Sequence, residues 1–433
     1  MNTPKSYIIS YNLPYGNEIL PININSKNII NLKFNKSGIS KYINKDKNTD
    51  KTFYSESEQR IISNALENPA FTPKLEDLAY NKNNICILVS DISRPCPSYK
   101  FLPEIISRLK KAKVKTIKII FGIGIHRKQT PKEQIELIGN IAAENCSFMD
   151  SNPEKCKILG TTTYGTPIEV FEEVLKSDFI IATGNIEYHY FAGYSGGAKA
   201  LLPGVSSYNS ITKNHSLIFQ DNIGAGIFYN NPLRQDIEDS AKKLKIDFIF
   251  NVILDDSKKI VAAIAGKNNE AFIKGIKLYD QIYKITAYTK ADIVLVSAGG
   301  YPKDINLYQA HKALENVKSI VNDNGKIILA AECFEGFGNE TFAQWMQETD
   351  SFEKISNKIK EKFILGAHKA VLISKLLKKI KIFLYSNFDE QQTLKMGFKK
   401  IYDIQNFLNE EIKKDSNIKI AVVPNGRFVS LIT

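Results

Sequence analysis

Cysteine is scarce in this chain: Cys86, Cys96, Cys146, Cys156 and Cys333 make five in 433 residues, an odd number with no C-x-x-C pair. That excludes a disulfide framework and a zinc ribbon, and it suits a reducing compartment. Long apolar runs are missing as well, since no stretch approaches the roughly 18 unbroken apolar residues of a membrane span. Met1 to Tyr11 carries Lys5 and then only a short apolar run, without the long apolar core and small-residue cleavage site of a secretory signal. The expectation is a cytoplasmic protein without a membrane partner.

What is present is ordinary for a folded globular chain: 43% hydrophobic and 24% charged residues, enough for a sizeable core. At about 100–200 residues per domain, the length favours two or three domains. Lys and Arg number 58 and Asp and Glu 46, so the net charge is 58 − 46 = +12. The lysines are scattered among Glu, Asp and Asn, so no nucleic-acid partner is expected. Only Lys375 to Lys381 is densely basic. It interleaves Leu376, Leu377 and Ile380 with the lysines, which reads as a helix end with a solvated face. The surplus of positive charge favours anionic small substrates.

Short β-branched runs ending in polar or Gly residues recur at Ile85 to Ser90, Thr116 to Gly122, Phe179 to Gly184, Ile293 to Ala298, Lys326 to Ala330 and Lys381 to Ser386. Each reads as a buried strand. Amphipathic helical patterns lie between several of them: Phe101 to Ala112, Pro131 to Gly139, Asn306 to Val317 and Phe352 to Lys362. The alternation defines the fold class as α/β. Tyr7 to Ile24, with a turn at Tyr15-Gly16-Asn17, predicts an N-terminal β-hairpin, and Asn44 to Lys51 an exposed loop. A helix-rich passage from Glu270 to Lys290 places the main domain boundary at 287/288. The last strand, Ile418 to Pro424, is free to return to the first domain.

In open parallel sheets, ligands bind beyond the carboxyl ends of the strands. Four such places carry chemistry. After Ile85 to Ser90 comes Asp91-Ile92-Ser93-Arg94-Pro95-Cys96-Pro97, a loop with a carboxylate and a guanidinium whose planar fork suits a carboxylate or phosphate. A structural Asp–Arg brace is the plainer alternative. After Thr116 to Gly122 comes Gly124-Ile125-His126-Arg127, then Thr130-Pro131-Lys132-Glu133, a helix start that leaves His126 in a strand-to-helix loop as a candidate acid or base.

The third place is the densest: Gly184-Asn185-Ile186-Glu187-Tyr188-His189-Tyr190, then Gly193-Tyr194-Ser195-Gly196-Gly197-Ala198-Lys199, then Asn214-His215-Ser216. Glycines let backbone amides approach a phosphate, and Lys199 ends the loop as a phosphate-binding lysine does. Ala198 and Ala200 depart from G-x-x-x-x-G-K-[ST], so this is not a nucleotide P-loop. His189 and His215, with Glu187 or Asp221, are also candidate metal ligands. The fourth place is Gly299-Gly300-Tyr301-Pro302-Lys303-Asp304, leading to Gln309-Ala310-His311-Lys312. On a helix Gln309 and Lys312 share a face and can hold an anion together. Beyond Glu332 to Gly338 stands the only tryptophan, Trp345, suited either to covering a flat ligand or to packing.

In this order, D-x-[ST]-R-P, G-x-H-R, the E-x-H segment with G-Y-S-G-G-A-K, N-H-S, and G-G-Y-P with Q-A-x-K resemble the nickel-pincer lactate racemase family over almost the whole chain. The resemblance implies two α/β domains around a central cleft: 1–287 catalytic and cofactor-tethering and 288–417 closing the cleft, with about 418–433 free to return to the first. It implies a nickel-pincer nucleotide, a pyridinium thioamide/thiocarboxylate mononucleotide joined covalently to Lys199, with nickel ligated by His215. His126 and His189 take the acid and base roles, Arg94, Gln309 and Lys312 surround the substrate carboxylate, and Asp91 and Trp345 stand beside the cofactor. Cofactor-making enzymes become partners in maturation.

The implied reaction is racemisation of a short-chain 2-hydroxy acid. One histidine takes the hydroxyl proton as hydride passes to the cofactor, and the planar 2-keto acid accepts it on its other face; the second histidine serves the opposite enantiomer. Ser93 stands where Thr is common, and Ile125 where smaller residues are frequent, and neither removes a catalytic group. Retention of Gln309 and Lys312 points to lactate or another short acid. Two other readings stay open: a zinc-type metallohydrolase on His189, His215 and an acidic ligand, and a non-catalytic anion- or nucleotide-binding protein.

Overall fold

The computed structural model describes residues 7–34, 43–45, 52–54, 57–94, 96–255, 257–347, 364 and 366–431. The chain forms two compact units, Asn35–Tyr283 and Met1–Phe34 together with Lys284–Thr433. It begins with an antiparallel hairpin, β1 (Ile8–Tyr15) and β2 (Glu18–Asn25), closed at Gly16-Asn17. The left-handed turn (φ 52° at Gly16) requires a residue without Cβ, and the Gly16 N–H is anchored on Asp304 Oδ2 at 2.7 Å.

The 35–283 unit is built on β3 (Asn84–Ser90), α1 (Ser98–Lys111), β4 (Thr116–Gly122), α2 (Pro131–Asn145), β5 (Ser147–Asp150) and β6 (Phe179–Asn185). It continues through α3 (Tyr208–Ser216), α4 (Pro232–Lys243), β7 (Phe248–Leu254), β8 (Ile260–Gly266) and α5 (Asn268–Tyr283). The sheet order is β8-β7-β6-β3-β4-β5, parallel except for the antiparallel edge strand β8. Ile85, Ile87 and Val89 of β3 interleave with Phe101, Ile105, Phe121, Ile181 and Phe250 in one buried core. Each such side chain contributes about 1.5–3 kcal/mol by leaving water.

Helix α2 starts on a full capping box, in which Thr130 and Glu133 each bond the other's backbone N–H. The pattern predicts its end at Gly139. The helix instead kinks there, at φ 77°, and runs on to Asn145; the positive φ and Tyr99 of α1, 3.1 Å from where a Cβ would stand, both favour glycine at the kink.

The other unit continues with β9 (Ala291–Ser297), α6 (Leu307–Val317), β10 (Val321–Ala330), α7 (Glu340–Gln347), β11 (Lys381–Tyr385), β12 (Lys399–Lys400), α8 (Ile404–Lys414) and β13 (Ile420–Val423). Its sheet, ordered β12-β11-β10-β9-β13, is wholly parallel. Leu13, Ile22 and Ile24 of the hairpin and Ile404 and Leu408 of α8 pack with Ile293, Leu295, Ile328 and Val422. The hairpin and last strand therefore belong with residues 284–433, which differs from a division that gives them to the N-terminal domain. The physical reason is pairing: Ile420 to Val423 lie in parallel register with Ile293 to Val296.

Within Lys375 to Lys381 the apolar Leu376 and Ile380 are buried and the lysines exposed, a solvated helix end. The stretch Asn44 to Lys51 starts inside a short strand, Ile43–Lys45, paired with Thr52–Tyr54, and its residues 46–51 lie outside the described residues. The helix expected over Phe352 to Lys362 also lies outside them. All five cysteines are free thiols, and burial pushes Cys86 and Cys96 up to about 12. Among the described residues no helix is long and apolar enough to cross a membrane.

Candidate active site

Where strand order reverses in a parallel sheet, the loops leave to opposite faces and open a crevice at the carboxyl ends. In the 35–283 unit that reversal falls between β3 and β6. The loop of Asp91 leaves β3 there, the segment from Glu187 to Lys199 leaves β6, and His126 follows the adjacent β4.

Asp91 is 3% exposed. Its Oδ1 accepts the Ser93 N–H at 2.9 Å and the Ser93 hydroxyl, and its Oδ2 lies 2.5 Å from Nδ1 of His126. Burial works to raise its pKa, but hydrogen bonds from His126 and Ser93 and the nearby charges of His126 and Arg94 outweigh it, so Asp91 sits below the ordinary carboxylate range. An ionised Asp91 draws the ring proton of His126 to Nδ1 and leaves Nε2 as the basic nitrogen. Gln129 braces the loop, accepting the Ile92 N–H at 2.7 Å while its amide donates to Asp150 at 2.8 Å. Arg94 is exposed and stays in the turn through its N–H to the Asp91 carbonyl, 3.1 Å.

The second group gathers on one aromatic ring. Phe191 meets His189 edge-on at 4.4 Å and His215 at 5.1 Å between ring centroids, and the Lys199 ammonium lies 5.6 Å from its centroid. His189 Nδ1 accepts the Ala192 N–H at 3.2 Å, which places the proton of the neutral ring on Nε2. His215 is half-buried with its Nδ1 out of reach of water, and that nitrogen makes no hydrogen bond of ordinary geometry. Burial, then the charge of Lys199, pushes it down to about 3, a shift that the Ile211 carbonyl opposes and Arg94 adds to. His215 is thus a neutral imidazole within electrostatic reach of both Lys199 and Arg94.

The loop bearing Lys199 is tightly built. Gly193 has φ 76°, and a Cβ there would fall 2.0 Å from the Ile227 carbonyl oxygen. The Gly197 N–H donates to Asn251 Oδ1 at 3.0 Å, and the hydroxyls of Tyr188 and Tyr194 donate to Asp280 at 2.7 and 3.0 Å. Phe191, Asn251 and Asp280 carry no motif of their own. Phe191 alone has a sequence signal, its place between His189 and the glycine loop.

In the other unit, Lys312 donates to Gln309 Oε1 at 2.7 Å on one face of α6, whose start is capped by Asn306. Trp345 on α7 is 3% exposed, beside the fully buried Phe342. A zinc hydrolase needs three protein ligands. Among the described residues no three or more His, Cys, Asp or Glu are grouped to hold a metal, so the set of His189, His215 and Glu187 or Asp221 is not assembled.

Two histidines, a lysine on a glycine loop and a half-buried neutral imidazole at the reversal of a parallel sheet suit an α/β enzyme, and comparison with known proteins makes it an isomerase of the racemase class. Residues 25–226 match the lactate racemase N-terminal domain and residues 286–433 the C-terminal domain. The chain belongs to the lactate racemase family. It is 34% identical over 428 residues to the lactate racemase of Thermoanaerobacterium thermosaccharolyticum, covering 96% of this chain and 97% of that one. To the lactate racemase of Lactiplantibacillus plantarum it is 34% identical over 303 residues, 68% of this chain and 70% of the other. The solved lactate racemase apoprotein from T. thermosaccharolyticum superposes with a TM-score of 0.87 at 32% identity, covering 98% of this chain and all of that one. A Thermotoga maritima protein shares the fold alone, with a TM-score of 0.63 and 16% identity.

Proposed function

We propose that this protein racemises a short-chain 2-hydroxy acid, most simply lactate, using a nickel-pincer nucleotide tethered to Lys199. The observation that carries the reading is the gathering of His189, Lys199 and His215 around Phe191, at the same sheet reversal as the Asp91–His126 pair. The residues fit the group: a metal ligand must be unprotonated, and His215 is a neutral imidazole with an unpartnered nitrogen. One protein ligand suffices if the remaining donors belong to the group on Lys199. When bound, the group supplies a hydride acceptor, so that the substrate passes through a planar 2-keto acid that either face can reduce.

The chain's own residues handle protons and charge. Inversion needs an acid–base group for each face of the stereocentre. Nε2 of His126 takes the hydroxyl proton, and Asp91 holds Nδ1–H and stabilises the imidazolium that forms. His189 serves the other face. With Nδ1 accepting from Ala192, the neutral ring carries its proton on Nε2 and is set to act as the acid; acting as base, the ring must exchange the Ala192 contact for a proton on Nδ1. Arg94 supplies a guanidinium for the substrate carboxylate, and Gln309 and Lys312 supply an amide and an ammonium already joined on one helix face.

The test is intact-protein mass spectrometry with nickel analysis on protein co-produced with the cofactor-making enzymes, comparing wild type with Lys199→Ala. The expected result is a nucleotide-sized adduct and nickel in the wild type, both lost in the variant. A wild type with no adduct and stoichiometric zinc overturns the reading.

A further inference from the structure

Both the loop of Lys199 and the helix of His215 lean on α4, which carries none of the candidate reacting groups. Arg234 of α4 is fully buried. Its guanidinium donates to the carbonyls of Tyr194 at 2.9 Å and Gly196 at 3.4 Å, inside the glycine loop, and pairs with Glu238 at 2.5 Å. It lies 4.3 Å from the centroid of Phe272 and 5.4 Å from that of Phe228. Two residues on, Asp236 is also fully buried and accepts from Thr162 at 2.5 Å, Thr166 at 2.8 Å and the side-chain amide of Asn214 at 2.7 Å. The same amide donates to the Leu233 carbonyl at 3.2 Å. Asn214 directly precedes His215.

Stability alone is a weak reason for this arrangement. Buried ion pairs are often replaceable by apolar residues of similar size without loss, because desolvation cancels much of the attraction. What buried charge adds is direction. The guanidinium fork accepts only one placement of the two loop carbonyls, and the carboxylate fixes the Asn214 amide and with it the turn of α3. A single helix, stiff over its 12 residues, therefore sets both placements.

Resting on the reading above, we propose that Arg234 and Asp236 are positioning residues that hold the Lys199 amine and the His215 ring at a fixed separation, so that one lysine-borne group meets its protein metal ligand. The two act on different ends, and their loss has different signatures.

The experiment uses full-length protein matured with the cofactor-making enzymes, and reads adduct mass, nickel per chain after dialysis against a chelator, and thermal midpoint. Asp236→Asn is expected to keep the Lys199 adduct but retain nickel ~10-fold less well or worse, the usual scale for groups behind a metal ligand. Arg234→Met paired with Glu238→Gln, which removes both members of the buried ion pair together, is expected to lose the adduct itself. Thr162→Val removes a donor to the same Asp236 carboxylate from the side away from Asn214, so it is expected to lower the midpoint and leave nickel unchanged. Wild-type adduct and nickel in all three folded variants overturn the proposal, and so does nickel loss that tracks the midpoint in Thr162→Val as it does in Asp236→Asn. A wild type with no adduct overturns the underlying reading as well, which separates the two failures.

Discussion

Replacing Asp91 by Asn tests whether the Asp91–His126 contact sets the base. The substitution keeps the size of the side chain but removes the charge that holds Nδ1–H, and the new amide can itself donate to Nδ1, driving the proton to Nε2 and blocking it as a base. A hydrogen bond to a charged group contributes about 1.5–3 kcal/mol. The His126 side chain is 46% exposed, so water screens part of this and the lower end, about 1.5–2 kcal/mol, applies. At about 1.4 kcal/mol per factor of ten, kcat should fall about 10- to 30-fold. The assay measures initial racemisation from each enantiomer alongside nickel content and adduct mass, so that rate is expressed per loaded enzyme. Turnover within about two-fold of wild type at full loading would refute the pairing, since it lies well below that expected loss. A rate that falls only in step with the adduct would refute it differently, by making Asp91 a residue that serves the cofactor.

Two further outcomes are expected. His126→Ala and His189→Ala should each lose turnover by about 10²- to 10⁴-fold, the usual contribution of an acid–base group, with nickel and adduct retained; initial rates from both enantiomers check this, and loss of nickel in His189→Ala would make it a ligand instead. At acid pH, Glu133 and Glu173 should cost the protein stability. Arg127 and the Thr130 N–H lower Glu133, and Lys118 and Lys176 lower Glu173, each from 4.5 to about 2. A carboxylate whose folded pKa is depressed stabilises the fold above its unfolded pKa, and that contribution disappears as pH falls from 4.5 towards about 2. Melting curves of Glu133→Gln and Glu173→Gln should therefore lie below wild type at pH 7 and converge with it near pH 2; a gap that persists there rejects the charge argument.

Much of the architecture is legible in local pattern. The six strand runs and the hairpin turn at Gly16-Asn17 appear where apolar periodicity and turn chemistry put them, because each is a local property. The continuation of α2 past Gly139 was hidden, since a glycine at the end of a periodic run reads as a stop, and the neighbour that crowds this glycine, Tyr99, comes from another helix. The membership of the hairpin and of β13 was also hidden, because strand pairing across more than 100 residues leaves no trace in either segment alone.

The candidate site divides in the same way. Its reactive types, His126, His189, Lys199, His215 and Arg94, follow strands in glycine- and proline-rich loops, and the motif order alone carries the family. The sequence by itself therefore determined the α/β class, the family and the candidate reacting groups, all of which reside in residue type and near-neighbour spacing. The tertiary structure decided what those groups are like: that Asp91 pairs with His126, that Phe191 collects three of them, and that His215 is neutral. It also decided that the R-Q-D-I-E-D run of α4, charged as it is, buries Arg234 and Asp236 beneath the site. Proton placement and the cost of buried charge depend on neighbours brought from distant parts of the chain, and those neighbours exist only once the sheet has set its strand order.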